Sequence, residues 1–169
     1  LFAKLFKKHN YGLQTTIGTV EHLKNPSLRE IRKYFKTYYV PNNMAIVLSG
    51  DFNPDEVIAK VDKVFSYMEY KDVPKYTFEK EDPITAPIVR EVVGPDAESV
   101  SIAYRLPGNQ EKDALLADLV GEILTNGEAG LIDLNLVKKQ RLLGASAFNW
   151  ALIDYGVLWL SGRPSQGQS

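Results

Sequence analysis

The chain has no cysteine. That absence removes disulfides, thiolate metal sites and a cysteine nucleophile together, while assigning no compartment. Histidine is almost as scarce, with His9 and His22 alone. A hydrolytic zinc site needs two histidines one helical turn apart beside a carboxylate base, as in H-E-x-x-H or its inverse H-x-x-E-H. Neither histidine stands in such a pattern: Glu21-His22 is followed by Leu23, Lys24 and Asn25. Both read as exposed or hydrogen-bonded loop histidines. No run approaches the roughly 18–20 apolar residues that a membrane span needs. No charge sign dominates either: 20 Lys and Arg against 21 Asp and Glu leave a net −1. No global field therefore favours nucleic acid or an anionic membrane.

Other signatures are missing too. Lys4, Lys7 and Lys8, and Lys138, Lys139 and Arg141, form basic clusters that do not interleave with aromatics; they read as solvated faces. The serines include no G-x-S-x-G elbow. Gly127-Glu128-Ala129-Gly130 precedes a helical pattern without the Lys-Ser/Thr of a phosphate loop, so it reads as a turn and helix entry. Residue chemistry alone thus yields no catalytic residue, no cofactor-binding residue and no metal ligand in this chain.

What is present is a globular composition, 44% hydrophobic and 24% charged, with a clear order of elements. Ser27 with Glu30 is a capping-box start, followed by Leu28, Ile31, Phe35 and Tyr38 on one helical face. Pro41 stops that helix and Asn42-Asn43 turn the chain. Residues 44–48 are a short apolar run, read as a strand buried on both sides. Asn53-Pro54-Asp55-Glu56 opens the next helix, with Val57, Val61, Val64 and Met68 as its stripe. Residues 69–87 carry Pro74, Pro83 and Pro87, mixed charge and no apolar period, the mark of an interdomain linker. The expected division is therefore residues 1–68, linker 69–87 and residues 88–169, with Leu1 reading as a cut into a longer chain.

The last segment opens with two strands, 88–93 and 99–106. In the second, Val100, Ile102, Tyr104 and Leu106 alternate with Ser99, Ser101, Ala103 and Arg105. A helix over 111–125 is expected to turn Leu115, Leu116, Leu119, Ile123 and Leu124 inward and to end at Asn126-Gly127. A second helix follows over 131–141, then a hairpin of 143–151 and 157–162 around Asp154-Tyr155-Gly156. Strand-strand-helix-helix-strand-strand predicts an α+β fold with an antiparallel sheet and helices on one face.

The run Tyr38-Tyr39-Val40-Pro41-Asn42-Asn43-Met44, continued to Ser49-Gly50-Asp51-Phe52, resembles a hallmark of the pitrilysin/insulinase-type metallopeptidases. His9-Asn10-Tyr11-Gly12 with Thr16-Ile17-Gly18-Thr19 resembles that family's His-Pro-Tyr-Gly and Ile-Gly stretch, Asn10 replacing the proline. Residues 131–141 resemble the amphipathic helix before its Gly-Leu-Ala-Tyr-like strand. The resemblance covers about His9 to Gly162.

It implies a fold of the pitrilysin and mitochondrial-processing-peptidase type, the chain holding the end of one domain and most of the next. Zinc and its H-x-x-E-H ligands would lie in the parent's first domain, before the segment that matches His9. The family's later domain can donate an arginine and a tyrosine to the reaction; those positions fall on Lys138 and Ala145, which carry neither a guanidinium nor a hydroxyl. The implied role is a non-catalytic region of a zinc metalloendopeptidase that helps form the peptide-binding chamber. The alternative is a scaffold or inactive partner subunit of the same fold, as in the core subunits of the mitochondrial cytochrome reductase complex. Implied partners are a peptide substrate and the missing catalytic half or a homologous subunit. Unpaired apolar strand surface at residues 44–48 adds an expectation of self-association.

Overall fold

The computed structural model describes residues 1–14, 16–165 and 167. Its helices are α1 (Phe2–Leu5), α2 (Asn10–Leu13), α3 (Val20–Lys24), α4 (Leu28–Tyr38), α5 (Pro54–Phe65) and α6 (Lys112–Leu124). Its strands are β1 (Val100–Pro107), β2 (Gly144–Ala151) and β3 (Tyr155–Arg163), with a 3-10 turn at Pro41–Asn43 and a π-helical turn at Asp133–Val137. Contacts group these into two units, Lys8–Lys80 and Leu1–Lys7 with Glu81–Ser169.

In the unit Lys8–Lys80, helix starts follow the capping chemistry. Ser27 Oγ accepts the Glu30 amide at 3.3 Å and starts α4. The Glu30 carboxylate does not close the box; it accepts from Arg29 Nε at 3.2 Å. Asn53 Oδ1 accepts the amides of Asp55 and Glu56 at 3.0 and 3.5 Å, with Pro54 in the first turn of α5. The Asn42 side chain pairs with both backbone groups of Lys71, at 3.0 and 3.3 Å. Residues 44–48 form no strand. A strand needs a neighbouring backbone to pair with, and the described residues bring none; Val47 is 89% exposed.

In the other unit the sheet order is β1-β3-β2, all antiparallel. Tyr104 faces Leu158 and Ala147 faces Leu160. The sequence-predicted hairpin and second strand are present; residues 88–93 pair with nothing among the described residues and are no strand. The architecture is α+β, with α6 against the Ala147–Asn149 face. Small residues set that contact: Ala114, Ala117 and Gly121 are buried, and Gly121 lies close to the β2 backbone. Of the residues expected inward only Leu124 is half-buried; Leu115 at 72% and Leu119 at 57% lie outward with Leu116 and Ile123, because the residues that let α6 approach are those without bulk. On the opposite face, Phe2 meets Trp150 edge-on at 5.2 Å and Phe6 meets Tyr155 at 5.5 Å. Leu5, Phe6 and Val157 are buried there.

Residues 131–141 do not make one regular helix. After Leu131 and Ile132 the chain widens into the π turn, and Gln140 leaves it at φ 54°. That left-handed backbone stops helical propagation.

Candidate functional site

Both histidines are committed to helix starts. His9 is buried, and its Nδ1 accepts the Tyr11 amide at 3.2 Å at the head of α2. The rings of Tyr11, Phe78 and Tyr76 surround it, with centroids 4.1, 4.5 and 5.7 Å away. His22 Nδ1 accepts the Thr19 amide while Thr19 Oγ1 accepts the His22 amide, a reciprocal box at the start of α3. Among the described residues no group of three or more His, Cys, Asp or Glu converges on a common point. These residues do not fit a zinc site: one imidazole is enclosed by aromatics and the other caps a helix.

The two positions singled out by resemblance are also occupied structurally. Lys138 Nζ donates to the Glu128 carbonyl oxygen at the mouth of the loop that follows α6. Ala145 pairs with Gly162 in the β2–β3 ladder. The loop itself is closed by two side chains. Asn126 Oδ1 accepts the amides of Glu128, Ala129 and Gly130 at 3.0, 2.9 and 3.1 Å. The buried Asp133 accepts the amides of Asn126 and Gly127, both at 2.9 Å. Gly130 has no room for a Cβ, which would lie 2.5 Å from Leu124 O and 2.6 Å from Asp133 Oδ2. The amides that a phosphate would use are thus already taken, and the geometry is that of a self-capped turn.

Arg105 is the polar group that sequence reasoning missed. The sequence shows it only as one of the polar residues alternating along β1. In the structure its side chain is 12% exposed and pairs with Glu81, itself 3% exposed, at 3.4 Å. Its apolar neighbours Val100, Ile102 and Tyr104 are the exposed row, at 55, 49 and 56%. The one signal in the sequence was a charged residue at the middle of an otherwise apolar or small strand, close in type to a buried ion pair. Beside it lies a cavity of about 230 Å³ lined in part by Lys4, Lys7, Asp82 and Ile88. An apolar groove of about 250 Å³ lies separately in the unit Lys8–Lys80, between residues 46–52 and α5. No histidine, cysteine or serine lines either one.

The Peptidase M16 inactive domain family matches residues 27–163. A curated relative, "Zinc protease PqqE" of Helicobacter pylori, is 28% identical over 155 residues, which is 88% of this chain and 35% of that protein. A crystal structure of a protease from Helicobacter pylori superposes with a TM-score of 0.73 at 23% identity, over 98% of this chain and 41% of that one. Pitrilysin superposes with a TM-score of 0.63 at 20% identity, over 92% of this chain and 18% of that one. The chain therefore spans about a third of the curated relative and about two fifths of the first of these structures. No helix among the described residues is long and apolar enough to cross a membrane.

Proposed function

The chain belongs to the peptidase M16 inactive-domain family, and on that premise we propose that it is the part of a zinc metalloendopeptidase that walls the peptide chamber without touching the metal. The observation that carries this reading is the open edge of β1. Among the described residues β1 pairs with β3 on one side and with no strand on the other. An extended peptide can add there as a further strand, the backbone supplying hydrogen bonds and alternate side chains supplying preference. β2 is less suited, because α6 packs against it and Thr125 Oγ1 already accepts the Ala147 amide at 2.7 Å. Zinc and its ligands would sit in another part of a longer protein, with a catalytic half or homologous subunit as partner.

The reading is tested in that longer protein by placing a photo-crosslinking residue at Ser101 in β1 and, as a control, at Glu122 in α6. An unfolded peptide should be captured from position 101 and not from 122. Efficient cleavage of the peptide without capture at 101 would remove the chamber role from this edge. A second reading, an inactive partner or scaffold of the same fold, is favoured by Ala145, which has no hydroxyl where the resemblance places a tyrosine. An intact H-x-x-E-H elsewhere in the longer protein, with bound zinc, would rule that reading out.

A further inference from the structure

Of the basic cluster Lys4, Lys7 and Lys8, only the last has a partner, Glu79. Lys4 and Lys7 are exposed, and among the described residues neither ammonium makes a hydrogen bond or an ion pair. Both line the cavity of about 230 Å³ beside Arg105, all of whose lining residues belong to the unit that contains the sheet. Much of the rest of the lining is the stretch 83–88. That stretch is neither helix nor strand and, among the described residues, makes no hydrogen bond. Its amides are left to solvent or to a ligand.

Charge narrows the class of that ligand. The lining carries three cations, Lys4, Lys7 and Arg105, and two carboxylates, Glu81 and Asp82. Three less two leaves one positive charge, which suits a single negative charge better than the nearly two of a phosphate group. Size narrows it further. Pockets that enclose a drug-sized ligand run to roughly 300–1,000 Å³, so this smaller one has room for little more than one residue. Leu5, Ile84 and Ile88 make part of that room apolar.

We propose that this cavity takes the C-terminal residue of a peptide, the carboxylate held by Lys4 and Lys7 and an apolar side chain set against Leu5 and Ile84. The proposal rests on the reading of β1 as a peptide-binding edge, since Arg105 of that strand lines the cavity. An apolar residue carries a carboxylate only when it is the last of its chain, so the cavity distinguishes a peptide end from an internal stretch. Ion pairs with exposed ammonium groups are weak and screened by salt; the expected effect is selectivity and not tight binding.

The test titrates the whole chain with the tetrapeptide trialanylvaline, once as the free acid and once as the C-terminal amide, following backbone amide signals by NMR. Signals of residues 84–86 and 88 should shift saturably with the acid, and the amide should bind about fivefold weaker. In a Lys4→Gln/Lys7→Gln variant the acid should weaken to the level of the amide, while Lys112→Gln on α6 leaves both unchanged. The proposal is overturned if acid and amide bind alike, if neither shifts these signals, or if their difference survives in the double variant. Acetate binding as tightly as the acid peptide would also overturn it, because the apolar wall would then contribute nothing. Capture at position 101 in the longer protein is a separate readout: if it stands while acid and amide bind alike, the cavity assignment falls and the edge reading does not.

Discussion

At the scale of single residues, buried polar groups are the part of this molecule that the sequence hid best. Asp133 sits in a stretch whose leucines read as an ordinary amphipathic helix, yet its carboxylate holds the amides of Asn126 and Gly127. Replacing it with alanine leaves two donors unmet, and a hydrogen bond to a charged group is worth about 1.5–3 kcal/mol. Asp133→Ala should therefore lower stability by about 3 kcal/mol, and Asp133→Asn by about 1 kcal/mol because an amide oxygen still accepts; chemical denaturation of the two variants measures both. Gly130→Ala should cost about as much as Asp133→Ala for a different reason, the overlap of its Cβ with Leu124 O and Asp133 Oδ2. The Asn126-Gly127 helix stop was legible from residue type, since Gly127 takes φ 82°. The histidines follow the same logic in reverse: their scarcity was legible, their use as caps was not. The isolated chain should bind no stoichiometric zinc. Elemental analysis checks this, and metal that disappears in a His9→Ala/His22→Ala variant would contradict it.

At the scale of elements, starts and stops were written in the sequence and pairings were not. Asn53-Pro54 begins α5 and Ser27 begins α4 as capping rules dictate. Asn53→Ala should therefore destabilise α5 by about 1 kcal/mol, seen as a lower thermal midpoint for the unit Lys8–Lys80. The two apolar runs at 44–48 and 88–93 have a composition that suits a sheet, yet neither is a strand. Composition specifies burial, whereas a strand exists only where another backbone lies beside it. The same distinction explains β1 and α6. Alternation along β1 separated two rows correctly, but which row is covered depends on what packs against it. Arg105 is covered by Leu5, Glu81 and Asp82, while Ile102 and Tyr104 stay about half exposed. On α6, the leucines signalled a hydrophobic helix, yet close approach to β2 belongs to Ala114, Ala117 and Gly121.

At the scale of the whole molecule, the accessible surface is 14042 Å². Much of the exposed surface is apolar: Val47, Val92 and Val93 are 89, 90 and 91% exposed. At about 25 cal/mol per Å², covering even a few hundred Å² of it favours association. Sedimentation velocity across a wide concentration range should show the isolated chain forming reversible dimers or larger species; a monomer at every concentration would contradict this. The family and the α+β class were legible because motif order and the β2–β3 hairpin are local properties. The docking of residues 1–7 beside Arg105 was not, because it joins residues that the sequence separates widely. That separation bears on the order of folding. Residues 1–7 dock on a sheet whose chain resumes at Glu81, so their docking closes a loop of about 70 residues, and closure entropy grows with the logarithm of length. Once residues 8–80 are folded, Lys8 and Glu79 already stand together, and the remaining closure spans only a few residues. The β2–β3 hairpin needs neither event. Pulse-labelling during refolding should accordingly protect the amides of α5 and the hairpin first, and those of residues 2–6 last.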